Sequence, residues 1–153
     1  MKKTNNKGFS LVELIVVVAI MAVLMVVVGP QLLRYVERSR IQRDNTAISE
    51  IANAMKIAAA DETINGDIPT TPGAAYAASA GTFDFTATVV ATLDAELAVT
   101  LGNEVRLTST TYQNAAAQPT LTIVRDGTNV TVTGTNLLGQ DGAALNGTGT
   151  VVY

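Results

Sequence analysis

The 153-residue chain contains no cysteine and no histidine. Disulfide frameworks, thiolate nucleophiles, Cys/His zinc sites and imidazole acid–base chemistry are thereby excluded. An exported chain of this composition must hold itself together by packing and hydrogen bonding alone. Aromatics are few, four Tyr and three Phe with no Trp, too few for a stacked aromatic path. Lysine is nearly absent beyond the amino-terminal tip, where Lys56 alone follows Lys7. Positive charge is scarce in the distal part: from Asp61 to the end, Arg106 and Arg125 face nine carboxylates. Such a surface is soluble and repels phosphate, so its bulk is not suited to nucleic acid.

The 48% hydrophobic content is front-loaded. No polar residue lies between Leu14 and Val28, and with Phe9 to Leu11 the run approaches the ~20 residues that span a bilayer. Lys2, Lys3 and Lys7 precede it without an acid, which places the amino terminus on the cytoplasmic side. A removable secretory signal is a poor description, because the apolar run passes into "VGPQLLRYVERSRIQR" without a small-residue cleavage pattern. A simple anchor leaves Glu13 unexplained. A carboxylate at the centre of a membrane helix costs roughly 2.5 to 3.5 kcal/mol, less toward the interface, and marks a functional site. Its natural partner is a cation, yet no Lys or Arg lies between Lys7 and Arg34. A cut between Gly8 and Phe9 would create one, an α-amino group four residues before Glu13 that a neighbouring copy's glutamate could pair with.

These residues resemble a known signal. "KGFSLVEL", with Gly8 before Phe9, Glu13 four residues beyond it, a long apolar run and then Pro30, is similar to the class III signal of type IV pilins and pseudopilins, the short leader and Phe start resembling the type IVa branch. The resemblance covers roughly the first 50 residues. It implies the pilin fold, an α+β architecture in which a long amino-terminal helix packs on a small carboxy-terminal antiparallel sheet. It also implies a division into a leader at 1–8, a helix at 9–60 whose portion 9–30 spans the membrane or fills a filament core, and a head at 61–153 with an αβ-loop and sheet. Prepilin peptidase would cut after Gly8 and methylate Phe9. Glu13 would contact the Phe9 amine of an adjacent subunit. The other implied partners are further copies of the chain in a helical homopolymer, an assembly platform with its ATPase, and membrane lipid before assembly. The implied location is the inner membrane first, then an extracellular filament serving adhesion, twitching, biofilm formation or DNA uptake. A pseudopilin of a type II secretion or competence system shares this signal. A head tethered by an uncut anchor is the reading of another class.

Pro30 interrupts an otherwise helical pattern, so a kink or locally melted stretch is expected near Val26 to Pro30. Beyond it, Leu32, Leu33, Val36, Ile41, Ile48, Ile51, Ala52, Met55 and Ala59 recur at near-helical spacing. Arg34, Glu37, Arg38, Arg40, Arg43 and Asp44 are distributed around that stripe, and the basic cluster Arg34 to Arg43 is read as a solvated face, with lipid headgroups or acidic patches of neighbouring copies as the alternative. The stretch 61–81, broken by Gly and Pro, reads as a connecting loop. Phe83, Phe85, Ala87 and Val89 alternate as a strand does, and Thr92 opens a short helix that Gly102 stops. "EVRLTSTTY", "TLTIVRD", "NVTVTGT" and "TGTVVY" read as strands, with Asp126-Gly127 as a hairpin turn. Their apolar positions Leu107, Leu121, Ile123, Val130, Val132 and Val151 should face the helix.

Many type IVa pilins staple this region with a disulfide, and this chain cannot. "NLLGQDGAALNGTG" must be held otherwise, with Val152 and Tyr153 docking the last strand as the expected means. Asp126 and Asp141 lack calcium-loop spacing, so no metal or other cofactor is expected. The carboxylates of the head sit singly in turns, and no nucleophile, base and oxyanion donor come together, so an enzyme is not expected. The Thr/Ala/Gly-rich, Lys-poor head suits an exposed, protease-resistant coat better than a periplasmic piston.

Overall fold

A computed structural model of the chain describes residues 9–70, 72–86, 89–145 and 149–153. It divides into two compact units, Met1–Val36 and Glu37–Tyr153. Helix α1 runs over Leu11–Ala58, 48 residues, and belongs to both. It is helical without interruption through Pro30, so the expected melted stretch is absent from the single chain. One missing N–H at proline removes a single hydrogen bond, and helical turns on both sides hold the backbone in place.

In the second unit, α1 contributes Ile41, Ile48, Ile51, Ala52 and Met55 to the core, at intervals of three, four and seven residues that keep them on one face. The head supplies the other side of that core. Its elements are α2 (Glu62–Asp67), β1 (Ala74–Ala77), β2 (Thr82–Asp84), α3 (Ala91–Leu101), β3 (Glu104–Arg106), α4 (Thr110–Gln113), β4 (Thr120–Asp126), β5 (Asn129–Thr135) and β6 (Val151–Val152). Four strands form an antiparallel sheet in the order β1-β4-β5-β6. This long helix on a small antiparallel sheet is an α+β arrangement consistent with the pilin fold. Along β4 and β5, Leu121, Ile123 and Val132 are fully buried, while Val130 and Val151 are half-buried at the margins. At the β4–β5 hairpin, Asp126 pairs with Asn129, and Gly127 takes φ 62° at the first of the two intervening positions, where a II′ turn needs glycine.

Three segments differ from the sequence reading. The stretch 61–81 is not all loop: Asp61 caps α2 by accepting from the Thr63 N–H at 2.8 Å, and Ala74–Ala77 is an edge strand. "AAYA" has no β-branched residue, so its strand state comes from pairing with β4 rather than from propensity. The stretch 104–112 is not one strand of the main sheet. Glu104–Arg106 pairs with β2 in a separate two-stranded ladder, and Thr110–Gln113 turns into α4, capped by the Ser109 hydroxyl, which accepts from the Tyr112 N–H at 3.0 Å. The strand around Phe83 stops at Asp84; Phe85 is still buried, Val89 is exposed, and Ala87 lies outside the described residues.

Helix α3 begins one residue before the expected cap. Val90 stands at its N-cap without a side-chain bond, and Asp94 reaches back to accept from the Val89 and Val90 N–H groups at 2.8 and 3.1 Å. The same carboxylate accepts from the Tyr76 hydroxyl at 2.5 Å, tying α3 to β1. Burial, and then the neighbouring Asp94, push the Tyr76 phenol well above its ordinary range.

A second buried carboxylate joins α1 to the head. Asp44 occupies the core stripe between Ile41 and Ile48, and it accepts from the Thr108 N–H at 2.8 Å, the Thr108 hydroxyl at 3.0 Å and the Ser109 N–H at 2.7 Å. Replacing it strands the Ser109 N–H in the interior. Asp44→Ala is expected to cost about 3 kcal/mol, and Asp44→Asn less because one acceptor oxygen remains. Denaturant unfolding of the full chain in detergent checks this, and a loss below ~0.5 kcal/mol for the alanine variant would contradict the assignment.

Candidate assembly site

In the amino-terminal unit, every residue from Phe9 to Val28 is exposed. The most apolar eighteen-residue window has a mean hydropathy of 3.2, with none of it buried. Covering one large aliphatic side chain contributes ~1.5 to 3 kcal/mol, and sixteen large hydrophobics lie between Phe9 and Val28. The total is of the order of tens of kcal/mol, more than the ~5 to 15 kcal/mol that holds a domain folded. Lipid or other protein must therefore cover this surface. The helix is long and apolar enough to cross a membrane.

The first turn is built from Ser10 and Glu13. The Ser10 N–H donates to Glu13 Oε2 at 3.0 Å. Ser10-Leu11-Val12-Glu13 has the S-x-x-E spacing of a capping box, and this is one half of its reciprocal pair of bonds. A carboxylate in this turn also meets the positive end of the helix dipole. Glu13 thus has work within its own chain, a role that the spacing announced and the sequence reading overlooked. Phe9 precedes it, 90% exposed. Gly8, Lys2, Lys3 and Lys7 lie outside the described residues. Pro30 is exposed, about 25 Å further along the helix from Glu13, so it is not brought to the same place.

The acidic and amide side chains past Val36 do something else. Glu37 accepts from the Thr111 N–H and hydroxyl, both at 2.9 Å, and pairs with Arg40 at 3.8 Å. Asn45 donates to the Leu138 carbonyl at 2.8 Å and accepts from the Tyr112 hydroxyl at 2.6 Å, and that hydroxyl accepts from the Leu138 N–H at 2.8 Å. Burial is the main reason that the Tyr112 phenol is pushed up to about 12. Helix α1 thus holds both the 107–112 segment and the start of the carboxy-terminal loop. The loop closes on itself through Leu138 opposite Ala144 and through Leu137, which donates to the Gly149 carbonyl at 2.8 Å. Tyr153 docks as expected, its N–H donating to the Val132 carbonyl at 2.9 Å and its ring lying 3.1 Å from where a Cβ on Gly134 would be, but the side chain of Val152 is exposed and does not dock. Asn146 to Thr148 lie outside the described residues.

Comparison with known families bears on the amino-terminal unit. Residues 3–29 match the family model described as the prokaryotic N-terminal methylation motif. That motif is the class III signal of type IV pilins and pseudopilins, and it supports a pilin- or pseudopilin-like substrate of prepilin peptidase, a structural protein anchored in the membrane before assembly. Comparison with curated proteins and with solved structures gives no match.

Partial burial of Glu37 opposes its ionisation, but the bonds from Thr111, with Thr110 and Arg40, outweigh that and hold its carboxyl below the usual range. A depressed folded value means stability that is present above the unfolded pKa of about 4.3 and is lost as pH falls through the folded value. The stability gap between wild type and Glu37→Gln is therefore expected to be largest above pH ~5 and to close toward pH ~3. Urea midpoints across that range report it, and a gap independent of pH would contradict it.

Proposed function

We propose that this chain is the structural subunit of a type IV pilus. The observation that carries the reading is the uncovered apolar helix behind a methylation signal: a surface that lipid covers first and copies of itself cover later. In this reading residues 1–8 are a leader removed after Gly8, Phe9 becomes the N-methylated terminus, residues 9–60 form the polymerising helix with 9–30 in the filament core, and residues 61–153 form the head facing water. Prepilin peptidase, an assembly platform and an ATPase act on the chain in turn. The amino terminus lies in the cytoplasm before assembly, and the chain ends in an extracellular fibre for adhesion, twitching, biofilm formation or DNA uptake. The protein acts by polymerising, not by catalysis.

Glu13 changes partner along this route. In the single chain it caps its own helix; in the filament it meets the Phe9 amine of a neighbour. An unpaired charge in a filament interior is expensive, while a paired one offsets its desolvation, so the glutamate selects register more than it adds stability. Pro30 weakens one turn of α1 at a place where assembly can bend or extend it. The same signal serves pseudopilins; the Lys-poor, Thr- and Ala-rich head favours an exposed fibre over a piston.

The two roles of Glu13 separate by substitution. Glutamine keeps a capping acceptor but no charge, and alanine keeps neither. Both Glu13→Gln and Glu13→Ala are expected to enter the membrane and be cleaved, and neither to yield abundant filaments in the native host. Normal filaments from Glu13→Gln would reduce the residue to a helix cap and remove the register role.

A further inference from the structure

The distal half of α1 presents a second stripe, opposite in character to the buried one. Arg43, Glu50 and Ile57 follow one another at seven-residue intervals, so they share a face, and all three are exposed. Ile57 is 76% exposed, and on α3 Val99 is 82% exposed, so apolar surface is left open here as well. Beside this stripe, α1 and α3 enclose a groove of about 340 Å³ lined by Glu50, Asn53, Ile57, Glu96, Thr100 and Leu101. Its two carboxylates form no ion pair among the described residues, where the single salt bridge joins Arg40 to Glu37. Arg43 is exposed and likewise has no ion-pair partner there.

We propose that this groove is a contact between copies of the chain, in which Glu50 and Glu96 of one copy receive Arg43 of the next. The proposal rests on the polymer reading and adds a second contact, on the head, to the one at Glu13. In the polymer reading the copies leave one membrane with their amino termini on the same side, so their helices lie parallel. Two parallel helices displaced by seven residues, about 10 Å, bring Arg43 of one opposite Glu50 of the other. The groove suits that side chain at both ends. Ile57 and Leu101 give its methylene stem an apolar wall, and the carboxylates meet its guanidinium, which pairs with them at fixed geometry. Along the stripe of Val36, Arg43, Glu50 and Ile57, zero displacement sets Glu50 against Glu50, and one of fourteen residues sets Arg43 against Ile57. The contact therefore repeats along the fibre and favours a single stagger.

The absence of native cysteine makes the test direct. Within one chain residues 43 and 50 are two helical turns apart, about 10 Å, beyond the ~7 Å Cα separation that a disulfide spans. In a variant carrying Arg43→Cys and Glu50→Cys, bridges can form only between copies, and each copy offers one of each. Mild oxidation of intact filaments, followed by a non-reducing gel, is expected to give a ladder of trimers and longer oligomers, whereas either single variant stops at dimers. Filaments of the double variant that run as monomers would overturn the proposal and leave the polymer reading in place; a wild-type chain that forms no filaments would overturn the polymer reading itself. Charge exchange reads the same contact without cysteine, and it decides the matter if the double-cysteine variant does not assemble. Glu50→Arg and Arg43→Glu should each lower filament yield several-fold, and the two together should restore it. Unchanged yield for both single variants would equally overturn the contact.

Discussion

An apolar helix surface that its own chain leaves bare sets the terms for everything else here. Among the described residues nothing covers the side chains from Phe9 to Val28, and water is not a tolerable medium for them. Two kinds of surroundings suit this surface, a lipid bilayer and an apolar protein surface. A carboxylate at the start of this helix is costly in both. In the single chain the Ser10 N–H satisfies one of its oxygens. In the proposed polymer, the new amine at Phe9 would be the cation that the sequence withholds from the apolar stretch.

The second unit solves a different problem, how to hold a small head on a long helix without a disulfide. Helix α1 does so with polar side chains placed among apolar ones. Asp44 sits within the core and satisfies the backbone where β3 gives way to α4, Glu37 secures the next residues, and Asn45 meets Tyr112 and Leu138 in a closed set of hydrogen bonds. Asp94 repeats the device between β1 and α3. A covalent staple would act chiefly by restricting the unfolded chain, whereas these bonds act in the folded one and depend on being buried and complete.

Much of this was legible in the sequence because it is local. The apolar run, the stripe from Ile41 to Met55, the hairpin at Asp126-Gly127 and the stop at Gly102 each follow from spacing or backbone preference, and each is present in the structure. Other features depended on partners distant in sequence. Ala74–Ala77 is a strand because β4 lies beside it, and Thr110–Gln113 is helical because Ser109 caps it and Glu37 receives its early donors. Two signals were in plain view and went unread. Asp44 falls in the three-and-four rhythm of the buried stripe, where a carboxylate signals a buried acceptor rather than a solvated face. Ser10 stands three residues before Glu13, the spacing of a cap.

The proposed function requires that the chain be processed in order to polymerise. Mass spectrometry of filaments sheared from the native host, directed at the amino-terminal peptide, tests it most directly. The dominant filament protein is expected to begin at N-methylated Phe9. A chain found intact from Met1, in the membrane fraction alone, would contradict it and leave a tethered head.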